Sequence, residues 1–121
     1  MKSLLTATAL FEGATGIALM VMPAAVVPLL LGISFTEPGL NIVSGITGAA
    51  LIALAIACWL SRGIGLYAHV IVKAMLFYNI ASSFVLLYGG LGLHLSGMGL
   101  YPACAVHSGL AVWCIFSLRK A

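Results

Sequence analysis

The chain has 121 residues, 64% of them hydrophobic and 6% charged, with a mean hydropathy of +1.26, against the roughly 45–50% apolar and 25% charged composition of a soluble domain. That excludes a soluble globular protein. A formal charge of +3 on five basic and two acidic residues, with no basic cluster beyond Arg119 and Lys120, also excludes a nucleic-acid-binding face.

At about 20 residues per crossing the length suits one domain holding an all-α bundle of four transmembrane helices. The first span, about residues 4–22, is an apolar run with one carboxylate, Glu12, inside it. Met1-Lys2 ahead of it and Ala24-Ala25 behind it have the outline of a secretory signal. Glu12 would then fall in the apolar core of that signal, so the segment is expected to remain as a helix. Pro23 ends or kinks the span, and residues 24–31, with Pro28 among them, read as a short interfacial segment. Ser34–Gly39 is the first loop, punctuated by Pro38 and Gly39.

The second span covers about residues 40–60. Gly45, Ala49, Ala53 and Ala57 recur every four residues and are expected to form a stripe against which a neighbouring helix packs closely. A short turn at Ser61–Gly65 leads into the third span, about residues 66–88, the most polar, with Tyr67, His69, Lys73, Tyr78, Asn79, Ser82 and Ser83. Residues 89–99, with five glycines and His94, read as a flexible loop or a loose helical extension. The fourth span, about residues 101–118, begins at Tyr101-Pro102, passes His107 and Trp113, and stops before Arg119-Lys120.

Lys2, Arg62, Arg119 and Lys120 all flank spans on one side. By the positive-inside rule both termini are cytoplasmic, as for a multi-pass protein of the bacterial inner membrane. Counted from that side at about 1.5 Å per residue, Glu12 lies about 12–13 Å deep and Lys73 about 11–12 Å. A buried charge is tolerable when paired, and the expected arrangement is therefore a Glu12–Lys73 ion pair. His107, Asn79 and Thr47 fall near mid-membrane and could extend it into a ligand or proton site. Lys73 and Asn79 are nevertheless six residues apart, about 120° around the helix, so both face inward only if that helix is largely enclosed.

No cofactor is expected. The three histidines lie at different depths, unsuited to facing haem ligands, and no cluster has zinc-ligand spacing. Cys58, Cys104 and Cys114 contain no CxxC pair and read as thiols packed as small hydrophobes.

The segments ALFEGATGIALM and LYPACAVHSGLAVWC, with the size of the chain, resemble small bacterial four-helix membrane proteins loosely grouped as DoxX-like. That resemblance implies fold and location more than activity. Glu12 with Gly13 and Gly16 is similar to the first helix of the small multidrug resistance family, which implies a proton-coupled carboxylate. A fixed Lys73 charge beside Glu12 would repel the cations which that family exports. The expected function is a small non-enzymatic integral membrane protein whose partners are the lipid bilayer and a second copy or another membrane protein. A small proton-coupled transporter or proton-conducting protein using Glu12 is the alternative.

Overall fold

The computed structural model describes residues 1–120. It comprises five helices, α1 (Lys2–Val21), α2 (Pro23–Leu31), α3 (Pro38–Ser61), α4 (Gly65–Leu91) and α5 (Leu100–Arg119). All but α2 are long and apolar enough to cross a membrane, and the fold is the expected four-span helical bundle. Hydrocarbon offers backbone N–H and C=O groups no water, so a spanning segment closes its hydrogen bonds within itself as a helix.

Prolines and glycines set the breaks between these helices. Pro23 opens α2 and Pro38 opens α3, each in a first turn where the missing N–H has no helical partner to lose. α2 ends at Gly32, whose φ of 70° is left-handed and whose N–H donates to the Pro28 carbonyl at 2.8 Å. The glycine-rich stretch divides, with α4 running through Gly89 and Gly90 to Leu91 before a short turn that contains His94.

The helices form two antiparallel pairs, α1 along α3 and α4 along α5, and the pairs touch each other far less. In a bilayer such pairing depends on close packing, since lipid is as apolar as leucine. α1 and α3 come together where Gly16 meets Gly48. A Cβ on Gly16 would stand 2.7 Å from the Gly48 carbonyl oxygen, and one on Gly48 would stand 2.5 Å from that of Gly16.

The buried face of α3 is Ser44, Gly48, Leu51, Ala55 and Cys58, which corrects the stripe expected at Gly45, Ala49, Ala53 and Ala57. Ala49 and Ala53 are exposed, Ala57 is half-buried, and Gly45 has open space beyond its Cα. A strict repeat of four drifts about 40° per step on a helix of 3.6 residues per turn, whereas alternating steps of four and three stay on one face.

The two ends of the bundle differ. At the end that holds the start of α1 and the finish of α5, Leu4, Leu5, Ala9, Cys58, Ala68, Val72, Met75, Leu110 and Cys114 form one buried cluster. At the far end α2 folds over the bundle, with Val27 against Leu19 and Leu51. The Gly99 N–H donates to the Leu29 carbonyl at 2.8 Å, and Gly97 lies against the backbone of Leu30. Those contacts tie α2 to the turn between α4 and α5.

Candidate functional site

The buried face of α1 carries Leu5, Thr8, Glu12, Gly16 and Leu19 at helical spacing, which turns the carboxylate into the bundle, where it is 1% exposed. Across from it on α4, the Tyr78 hydroxyl donates to Glu12 Oε2 at 3.3 Å. Glu12 Oε1 is buried without a hydrogen-bond partner, and so is Thr8 Oγ1 one turn away. Thr6, Thr15 and Thr47 each donate back to the carbonyl four residues earlier, the usual local solution for a hydroxyl on a helix. Thr8, fully buried beside Glu12, is left without one.

A second polar unit joins α4 to α5. Asn79 lies on the buried face of α4 with Ala68, Val72 and Met75. Its Nδ2 donates to the Met75 carbonyl at 2.8 Å, and its Oδ1 is 2.8 Å from His107 Nδ1. An amide oxygen can only accept, so the His107 proton is on Nδ1 and Nε2 is left as an acceptor. The imidazole stands edge-on to two rings, with centroids 5.7 Å from Phe11 and 5.5 Å from Tyr78. His107 thereby connects the Asn79 unit to the Glu12–Tyr78 contact.

Phe11, Glu12, Tyr78 and His107 border a cavity of about 350 Å³ between the two helix pairs, with Asn79 behind His107. Leu19, Leu51, Val85 and Leu86 give it aliphatic walls, Leu30 of α2 reaches it from the far end, and its polar lining comprises Glu12, Thr15, Thr47, Tyr78, Ser82 and His107. The cavity occupies the far half of the bundle with Glu12 at its floor, and the buried cluster at the other end packs beneath. It exists because the two pairs pack tightly within themselves and loosely against each other.

Three expectations for the site need correction. Glu12 is not paired with Lys73, whose side chain is exposed. Lys73 follows Val72, which is on the buried face, and one helical step of about 100° carries it outward. Level depth on two helices was not enough, because rotation about the axis decides the neighbour. Thr47 does border the cavity, but its hydroxyl donates to the Val43 carbonyl at 2.7 Å rather than joining a polar chain. Nor do Glu12, Lys73, His107 and Asn79 form one network; the structure brings together Glu12, Tyr78, His107 and Asn79 instead.

Tyr78 is a site residue that no motif marks. Its signal was position, since the other three tyrosines fall near span ends, where aromatic belts belong, while Tyr78 is in mid-span. Thr8, four residues from Glu12, was readable as sharing its face. His69 Nδ1 donates to the Gly65 carbonyl at 2.9 Å, and His94 is in the far turn. Among the described residues no three His, Cys, Asp or Glu side chains converge as metal ligands.

Comparison with family models, with curated proteins and with solved structures gave no match.

Proposed function

We propose that this small multi-pass membrane protein is a non-enzymatic intramembrane receptor or carrier for a small, largely apolar molecule held in the cavity above Glu12. The observation that carries this reading is the unpartnered Glu12 Oε1, on a side chain that is 1% exposed, at the floor of a cavity of about 350 Å³. Buried polar atoms in folded proteins are satisfied as a rule, and an apolar cavity with a few convergent polar groups is the common form of a small-molecule site.

The one-sided placement of Lys2, Arg62, Arg119 and Lys120 supports cytoplasmic termini, with the cavity in the outer half of a bacterial inner membrane. The cluster packed beneath Glu12 disfavours an open proton channel, since below Thr8 the path runs into the apolar side chains of Leu4, Leu5 and Val72. Proton-coupled transport stays as a second reading, supported by Glu12 and His107 bordering one cavity. It requires the two helix pairs to rearrange.

The test is thermal unfolding of the protein purified in a mild detergent, with phenethyl alcohol and phenethylamine as a neutral and a cationic probe. At least one probe should stabilise the wild type saturably and fail to stabilise Ala103→Phe, which fills the cavity without removing a polar group. If neither probe stabilises the wild type, or Ala103→Phe responds as the wild type does, the binding-site reading is wrong.

A further inference from the structure

We infer that the cavity takes a small apolar primary amine in its ammonium form, with the ammonium group on Glu12 and the hydrocarbon body against Phe11, Tyr78 and the aliphatic wall. This rests on the cavity being a binding site and adds the chemistry of its occupant.

The first argument comes from hydrogen bonds already made. Thr15 and Thr47 donate to backbone carbonyls, and Tyr78 donates to Glu12. The Asn79 amide is engaged at both ends, and His107 Nδ1 donates to it. What these groups still offer a ligand is acceptance, from Glu12 Oε1, from His107 Nε2 and from the spare lone pairs of the threonine oxygens. Among the lining groups the Ser82 hydroxyl is the donor left free, and a site with most of its donors spent and its acceptors open favours a ligand that donates. An ammonium group brings three N–H donors, whereas a quaternary ammonium brings none.

The second argument is charge. A carboxylate in an apolar interior keeps its charge only with a cation close by, so a bound ammonium is what would hold Glu12 ionised. Among the described residues no lysine or arginine meets Glu12. Lys73 is exposed on the outer surface of α4, the Arg62 guanidinium lies 3.2 Å over the Trp59 ring, and Lys2, Arg119 and Lys120 lie at the ends of α1 and α5. With Lys73 turned away, its repulsion of a cationic ligand is also removed. Phe11 and Tyr78, both bordering the cavity, add ring faces that attract a cation.

The third argument is size. A cavity of 350 Å³ has about twice the volume of one that binds benzene. It suits a single ring with a short aminoalkyl tail, or an alkylamine of similar bulk.

The experiment is calorimetric titration of the detergent-purified protein with phenethylamine, phenethyl alcohol and phenethyltrimethylammonium, after subtraction of each probe's uptake by empty micelles. A charge-assisted hydrogen bond contributes about 1.5–3 kcal/mol, so phenethylamine should bind at least about tenfold tighter than either analogue. Glu12→Gln should erase that preference, and Lys73→Met should keep it. The comparison of probes in the wild type stands even if Glu12→Gln fails to fold. Equal affinity of amine and alcohol, both lost in Ala103→Phe, would overturn the ammonium assignment and leave the binding site standing. Equal affinity of the primary and quaternary amines would overturn the donor argument. No saturable binding of any probe would remove the site itself and the ligand with it.

Discussion

At the scale of single residues, the two polar contacts of the site differ in expected strength. Interhelical hydrogen bonds in bilayers contribute about 0.6 kcal/mol on average and up to about 1.7 kcal/mol. The 2.8 Å bond from His107 to Asn79 belongs nearer the top of that range than the 3.3 Å bond from Tyr78 to Glu12. Asn79→Leu strands the His107 N–H and should lower stability by about 1–2 kcal/mol, read as an earlier unfolding midpoint in a denaturing detergent. Lys73→Met, on an exposed side chain, should stay within about 0.5 kcal/mol of wild type. A double-mutant cycle of Glu12→Gln with Lys73→Met should give no coupling, whereas Glu12→Gln with Tyr78→Phe should give a measurable one. Coupling of about 1 kcal/mol or more between Glu12 and Lys73 would restore the ion pair that depth alone suggested.

At the scale of elements, the close approach of α1 and α3 concentrates on Gly16 and Gly48, where a Cβ would meet the opposite backbone. Gly48→Ala should therefore destabilise by about 1–3 kcal/mol through overpacking. Gly45→Ala has open space to occupy and should be neutral or stabilising by up to about 1 kcal/mol, because alanine is the better helix former. Thermal unfolding of the two variants side by side distinguishes the observed face from the regular small-residue stripe. The contrast also indicates what the sequence could supply. Helix limits were readable, because Pro23, Pro38 and Gly65 punctuate long apolar runs and hydrocarbon forces helix between them. The face each helix buries was less so, since these helices are apolar all round and lack the polar stripe that orients a soluble helix.

At the scale of the whole molecule, the same limitation governs the site. Glu12, Asn79 and His107 stood out as polar groups in apolar runs, which is a strong signal in a membrane. Tyr78 did not, because an aromatic hydroxyl is ordinary near a bilayer interface and only its mid-span position marked it. The cavity had no sequence signature. It arises from two tight helix pairs meeting loosely, with α2 tied over the far end through Leu29 and Gly99. Loosening that tie should open the far end, so Gly97→Val, which drives a side chain into the backbone of Leu30, should raise solvent exchange at the α2 amides without unfolding α1 or α3. Unchanged exchange would mean that the turn does not hold α2.

The measurement that bears most directly on the account is ¹⁹F NMR of the protein labelled with fluorotyrosine. The chain has four tyrosines, of which Tyr67, Tyr88 and Tyr101 are exposed and Tyr78 borders the cavity; Tyr78→Phe assigns its signal. Glu12→Gln should move the Tyr78 resonance, Lys73→Met should leave it in place, and phenethylamine or phenethyl alcohol should shift it saturably while the other three stay fixed. A Tyr78 signal that follows Lys73→Met but not Glu12→Gln, or that ignores both probes, would contradict a ligand site built on Glu12 and Tyr78.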